Sequence, residues 1–198
     1  MELHLFDFDG TLTRKDTLFE FARFCHGPFR FYAGLLVLAP VLALIYLGFI
    51  DKDKGKVIFL KYFFRNKSWE YLERRGQEFS VKRLPQLLRP AGIDTINRLK
   101  EKNHQVAIVS ASLDIWLRPF CERYGLKMIC TRARFDQEGK FTGTFVGANC
   151  NRQEKRRRVA AEFNLKDYRL IVAYGDSRDD HHLFSLSTHY YYRPFASH

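Results

Sequence analysis

Short apolar runs, each closing on a polar or charged residue, recur along the chain. Leu3-His4-Leu5-Phe6 leads into Asp7, Val106-Ala107-Ile108-Val109 into Ser110, and Leu170-Ile171-Val172-Ala173-Tyr174-Gly175 into Asp176. Runs of this length, rich in β-branched residues and bounded by turn signals, predict buried strands at about 3–8, 105–110 and 169–174. Shorter runs at 127–130 and 189–192, the second stopped by Pro194, predict two more. Residues 132–135 and 141–145, around Gln137-Glu138-Gly139, predict a β-hairpin. Between strands, helices are expected over 92–102, over 113–124 with a break or kink near Pro119, over 153–163 and over 179–186. Strands alternating with helices imply a parallel sheet.

The alternation fails once, between Asp16 and Leu88, where the whole stretch reads as helical. Asp16 is a candidate N-cap, and Pro85, Pro90 and Gly92 mark the return to the sheet. The stretch is too long for a crossover. It predicts a helical domain over 16–88, inserted into a core formed by 1–15 and 89–198. Inside it, Phe31 to Ile50 carries no charge. About twenty apolar residues can span a bilayer core of about 30 Å. A single span, however, would separate Asp7 and Asp9 from Ser110, Lys155 and Asp176. Pro40 sits mid-segment and predicts a helical hairpin over 31–50. Arms of about ten residues are only about 15 Å long. Such a hairpin either meets a membrane face, with Arg30, Lys52, Lys54 and Lys56 for anionic headgroups, or is buried in the helical domain or a dimer contact.

Charge bears on the choice of partner. The 198 residues carry a net +11, and 46% hydrophobic residues suffice for a core. A basic balance favours an anionic partner, whether lipid, nucleic acid or metabolite. The clusters at 152–158, Arg74-Arg75 and 52–56 come with no nucleic-acid-binding motif, so nucleic acid is not expected. A solvated helix face remains the plain alternative for each cluster. An anionic membrane surface, met through residues 30–56, is the partner the segment suggests. Cys25, Cys121, Cys130 and Cys150 show no metal-binding spacing, and Leu3 already belongs to a strand. The expected setting is cytoplasmic, at the inner face of the membrane if the hairpin docks.

Asp7 and Asp9 are the first candidates for chemistry. Two apart at a strand end, they are expected to point the same way. That edge is where open α/β sheets bind ligands. Their like charges call for compensation, which a divalent cation with oxygen ligands supplies. Ser110, Lys155, Asp176, Asp179 and Asp180 stand at matching places, after other strands or at the start of a helix.

Asp7-Phe8-Asp9-Gly10-Thr11, strand-end Ser110, Lys155, and Gly175-Asp176-Ser177 followed by Asp180 occur in this order. The set resembles the haloacid dehalogenase-like superfamily of phosphohydrolases over about residues 3 to 194. The resemblance implies an α/β fold, a Rossmann-like parallel sheet with an all-helical cap inserted after the first motif. It implies a Mg²⁺-dependent phosphomonoesterase. Asp7 would be the nucleophile that forms an aspartyl-phosphate, and Asp9 the general acid and then base. Asp7, the Asp9 backbone carbonyl and Asp176 would hold Mg²⁺. Asp180 would stand behind them or hold Lys155. Thr11, Ser110 and Lys155 would grip phosphoryl oxygens. Ser112 competes with Ser110, Asp179 with Asp180, and Arg152, Arg156, Arg157 and Arg158 with Lys155.

The substrate is read from the cap. Phosphoserine phosphatases place an acidic residue shortly after the first motif to hold the substrate amine. Asp16 is in a comparable position, and is equally a helix cap. The apolar segment, with Asn149-Cys150 and Tyr174-Gly175-Asp176-Ser177, looks more like the phosphatidylglycerophosphatase C-like branch. The favoured expectation is therefore a membrane lipid phosphate such as phosphatidylglycerophosphate. A soluble ester, phosphoserine or histidinol phosphate, and a catalytically idle membrane-binding module are the alternatives.

Overall fold

The structure, a computed structural model, describes residues 1–196. Its sheet contains β1 (Glu2–Phe6), β2 (Gln105–Leu113), β3 (Lys127–Thr131), β6 (Leu170–Gly175) and β7 (His189–Tyr192). The spatial order is β3-β2-β1-β6-β7, and every pairing is parallel. The central strands are covered on both faces, which explains their near-continuous apolar sequences. Leu3 and Leu5 enter one core with Val109, Val159 and Ala173, while Phe6 enters the other with Ile108 and the inserted helices. The chain moves outward from β1 to β2 and β3, then returns to β6 on the other side of β1. The strand order thus reverses beside β1, and a crevice outside the carboxyl ends of β1 and β6 is the favoured ligand site in such sheets.

The insertion holds α1 (Thr17–Tyr46), α2 (Lys52–Phe64), α3 (Trp69–Lys82) and α4 (Leu84–Leu87), before α5 (Pro90–Glu101). Its aromatic core joins Phe21, Phe64 and Phe79 to Trp116 of α6 (Asp114–Tyr124). β4 (Ala133–Phe135) and β5 (Phe141–Phe145) form the expected hairpin. α7 (Gln153–Glu162) carries Lys155. The helix expected over 179–186 is a 3-10 turn, Arg178–Asp180, followed by the short α8 (His181–Phe184).

Two prolines do not act as expected. The hairpin over 31–50 is not present, because the helix runs through Pro40. Pro40 and Leu36, whose carbonyl it deprives of a partner, are both exposed. The lost hydrogen bond therefore strands no buried group. The sharp break falls at Gly27, with φ +76° and ψ 163°. Glycine adopts that conformation without a Cβ penalty, and Pro28 then opens the next helical segment, where its missing N–H costs nothing. The return turn lies instead around Gly48, and α2 comes back along α1. Atoms of Phe63 would lie 2.6 Å from a Cβ on Gly34, and atoms of Ile45 2.2 Å from one on Gly55.

Pro119 likewise leaves α6 unbroken. It removes the N–H that would pair with the carbonyl of Ile115. Gly76 of α3 packs on that carbonyl, and a Cβ there would meet its oxygen at 2.0 Å. Only a glycine lets α3 approach the freed acceptor this closely.

Candidate active site

A cavity of about 430 Å³ opens where the carboxyl ends of β1, β2 and β6 meet the insertion. Asp7 follows β1 directly, and its N–H still donates to the Tyr174 carbonyl at 2.9 Å, so the strand geometry carries into the loop. Asp7 is buried. Its Oδ1 accepts from Lys155 Nζ at 2.5 Å and its Oδ2 from Thr11 Oγ1 at 3.3 Å. Lys155 Nζ also donates to Asp180 Oδ1 at 2.6 Å. Asp180 Oδ2 accepts from the Ser177 N–H and hydroxyl at 3.1 and 2.9 Å, which shapes the loop after β6.

Carboxylate oxygens of Asp7, Asp176 and Asp180 lie within 4.8 Å of one another. The Lys155 ammonium pairs with two of these carboxylates, Asp7 and Asp180. Burial, with Asp180 and Asp9 nearby, pushes the Asp7 carboxyl up to about 8 against the pull of Lys155. Burial also works against the charge on Lys155, but Asp7 and Asp180 outweigh it and hold its pKa above the ordinary lysine value. Gly10, with φ +81°, lets the first loop close on the last: a Cβ there would meet the Asp176 carboxylate at 2.2 Å. An all-oxygen, negatively charged cluster of this kind fits a hard divalent cation such as Mg²⁺.

Asp9 lines the same cavity but belongs to a different network. It lies past the end of β1, so strand alternation does not set its direction. Its Oδ1 accepts from the Thr17 N–H at 2.7 Å, and its Oδ2 accepts from the Ser112 hydroxyl. The Thr17 and Ser112 hydroxyls are 2.9 Å apart, and the Trp116 indole N–H donates to Thr17 Oγ1 at 2.9 Å. An indole N–H can only donate. With the single Ser112 hydroxyl proton given to Asp9, Thr17 donates to Ser112, and the donors run from Trp116 to Thr17 to Ser112 to Asp9.

Ser110 is buried at the cavity and accepts from the Ser112 N–H at 3.0 Å. The two serines weighed against each other thus have separate surroundings. Asp179 pairs with Arg152 at 3.1 Å on the rim, away from Lys155. Arg157 and Arg158 both pair with Glu154 at 2.7 Å; Arg157 lies on a solvated helix face, whereas Arg158 is part-buried and donates to the Cys130 and Ala148 carbonyls. Asp16 caps α1, accepting from the Leu18 N–H at 2.9 Å, and also lines the cavity mouth.

Lys56 is a correction to the basic flank expected over 52–56. It turns inward, and Nζ donates to the Ala111 carbonyl at 2.5 Å and Asn149 Oδ1 at 2.9 Å. Asn149 Nδ2 donates to Asp53 Oδ1 at 2.6 Å, so α2 is tied to the core from both sides. Burial lowers the Lys56 ammonium to about 8 despite Asp9, Asp16 and Asp53. Sequence reading missed Thr17 and Trp116 at the site, named Lys56 only in the basic flank and named Asn149 only within the resemblance. Tertiary packing brings them there, Thr17 from α1, Lys56 from α2 and Trp116 from α6.

The haloacid dehalogenase-like hydrolase family model matches residues 4–185. The chain is 32% identical over 191 residues to Protein CicA of Caulobacter vibrioides, a match covering 96% of this chain and 85% of that one. A protein of unknown function from Bordetella pertussis Tohama I has a similar structure, with TM-score 0.82, 20% identity, and coverage of 96% and 88%. A substrate-bound phosphoserine phosphatase complex aligns with TM-score 0.67, 21% identity, and coverage of 95% and 83%.

Proposed function

The chain belongs to the haloacid dehalogenase-like hydrolase family, and on that premise we propose that it is a Mg²⁺-dependent phosphomonoesterase whose substrate is a lipid phosphate such as phosphatidylglycerophosphate. An Asp7 carboxylate oxygen attacks phosphorus and the ester P–O bond breaks. Asp9 gives its proton to the departing alkoxide. Water then attacks the aspartyl-phosphate, Asp9 takes up its proton, and inorganic phosphate leaves with the Asp7 carboxylate restored. Thr11, Ser110 and Lys155 hold the phosphoryl oxygens. Asp7 and Asp176, with the Asp9 carbonyl, would hold the cation, which when bound offsets charge on the phosphoryl group. Asp180 keeps Lys155 in place.

The single observation behind the lipid reading is the wall of the cavity. Its floor is carboxylate, hydroxyl and ammonium, while Leu18, Phe19, Leu42, Ile45 and Phe59 line the side formed by the cap. That apolar wall continues outside. Phe29, Tyr32, Leu36, Val37, Leu44, Tyr46, Leu47 and Phe49 are all exposed along one helix and its turn. α1 is long and apolar enough to cross a membrane, and only 17% of its apolar window is buried. Both ends of the α1–α2 unit are tied to the core, so the outer face would lie along the interface rather than span it. A polar floor, an apolar wall and an exposed apolar face beside the mouth suit a headgroup phosphate with its acyl chains still in the membrane.

Asp16 at the mouth favours a second reading, a soluble amino phosphate such as phosphoserine, with Asp16 on the amine. Phosphate release with Mg²⁺ from phosphatidylglycerophosphate in mixed micelles, run beside phosphoserine, separates the two. A preference for the lipid is expected. A preference for phosphoserine would overturn the lipid assignment. Asp7→Asn should release phosphate from neither, and turnover in that variant would remove the nucleophile.

A further inference from the structure

The opposite end of the sheet holds a second group of converging side chains. Glu2 and His4 are two apart on β1 and face the same way. The parallel register sets Leu3 opposite Gln105, which brings His104 beside Glu2. Glu2 Oε2 lies 3.2 Å from His4 Nε2 and 3.5 Å from His104 Nε2. The three candidate ligand atoms are all within 4.8 Å of one another. The second oxygen, Oε1, is engaged elsewhere, 3.3 Å from Arg169 Nη2. His4 is buried, and its Nδ1 is 3.2 Å from the Tyr174 hydroxyl. A metal-bound histidine usually has such a partner on its other nitrogen, fixing the ring. Burial also holds the His4 imidazole below its ordinary value, which favours the neutral ring that a metal needs.

We propose that Glu2, His4 and His104 form a binding site for a borderline-soft divalent cation of the Zn²⁺ or Co²⁺ class, which clips β1 to β2 at the amino-terminal edge of the sheet. The Tyr174 hydroxyl can accept from or donate to His4 Nδ1: when it donates, Nε2–H donates to Glu2, and when it accepts, Nε2 is a free acceptor 3.2 Å from the Glu2 carboxylate, the tautomer in which a cation bridges the two. A proton satisfies one histidine–glutamate pair at a time, whereas a divalent cation satisfies all three ligands together. Imidazole with carboxylate suits Zn²⁺, unlike the all-oxygen cluster at the other end of the sheet. At bond lengths of about 2.0–2.1 Å, tetrahedral ligands sit about 3.3–3.4 Å apart. The observed 3.2 and 3.5 Å bracket that spacing. Three protein ligands leave the fourth position to water.

The experiment is a Co²⁺ titration of the whole protein in saturating Mg²⁺, followed in the visible. Tetrahedral Co²⁺ absorbs far more strongly than the octahedral ion an all-oxygen site would hold, so the two ends of the sheet are distinguishable. Intense bands that saturate at one equivalent are expected, and they should be lost in His104→Ala and in Glu2→Gln. Zn²⁺ should raise the melting temperature of the parent protein but not of either variant. Circular dichroism of the variants checks their fold. Absence of intense bands in the parent, or bands that persist in both folded variants, would overturn the site and leave a proton-shared cluster.

Discussion

Asp9 is gripped by donors from two elements, the Thr17 N–H of α1 and the Ser112 hydroxyl of β2, so both its oxygens are occupied. A proton donor that must swing or tilt between two steps gains from such a grip, because misplacement at the reacting atoms is costly. Hydrogen bonds to charged groups contribute about 1.5–3 kcal/mol, so Ser112→Ala should lower kcat by about ten-fold or more and leave KM nearly unchanged. Trp116→Phe removes the first donor in the chain without removing its ring, and should give a smaller loss with the same split. Steady-state kinetics test both, and Ser112→Thr, which restores a hydroxyl, should recover most of the rate. A rise in KM at constant kcat would instead make Ser112 a substrate contact. The motif carboxylates were readable because they sit just after two apolar strands, Asp7 and Asp9 after β1 and Asp176 and Asp180 after β6. The relay from Trp116 and the Glu2–His4–His104 group were not readable, because their members are adjacent only after strands pair and helices pack.

At the scale of elements, local rules failed where exposure or a neighbour changed their cost. Pro40 breaks nothing because the carbonyl it strands is on an exposed turn. Pro119 breaks nothing because Gly76 covers the carbonyl it frees. The second case is open to a direct test. Gly76→Ala keeps, and by propensity alone improves, the helix, which favours alanine over glycine by about 0.8–1.0 kcal/mol. The added Cβ would nevertheless collide with backbone that cannot yield, and overpacking costs about 1–3 kcal/mol. The variant is expected to be less stable than the parent, as chemical denaturation would measure, and a more stable variant would sink the packing argument. The helical nature of 16–88 was readable from its pattern, but the position of its turn was not: Gly27 and Gly48 decide it, and glycine marks a break only where the backbone uses its left-handed region. The apolar face makes its own prediction. Leu36→Asp with Phe49→Asp should reduce co-sedimentation with anionic vesicles while leaving the fold intact, and unchanged binding would remove the interfacial role of α1.

For the whole molecule, the balance of charge at the cavity floor couples stability to pH and to metal. The net charge of +11 does not describe this region, where Asp7 and Asp180 pair with Lys155 and Asp9 and Asp176 line the same cavity. Burial raises Asp7 from 3.8 to about 8, with its acidic neighbours adding to the effect. In the metal-free protein the folded state therefore keeps a proton that the unfolded chain has already released. Between about pH 4 and pH 8 the folded state binds more protons, so this group's contribution to stability is full below the unfolded value and is lost as pH rises through about 8. A cation that takes the place of that proton reverses the trend, because it binds the ionised carboxylate and releases the proton. Melting temperatures of the metal-free protein should thus fall from pH 5 to pH 8. Stabilisation by Mg²⁺ should grow over the same interval, and calorimetry in buffers of different ionisation enthalpy should register proton release on binding at neutral pH. Asp7→Asn cannot exchange a proton for a cation, so its melting temperature should vary less with pH and its response to Mg²⁺ should be smaller. A Mg²⁺ response that is independent of pH in the parent protein would mean that neither raised carboxyl, Asp7 or Asp176, gives up a proton to the cation.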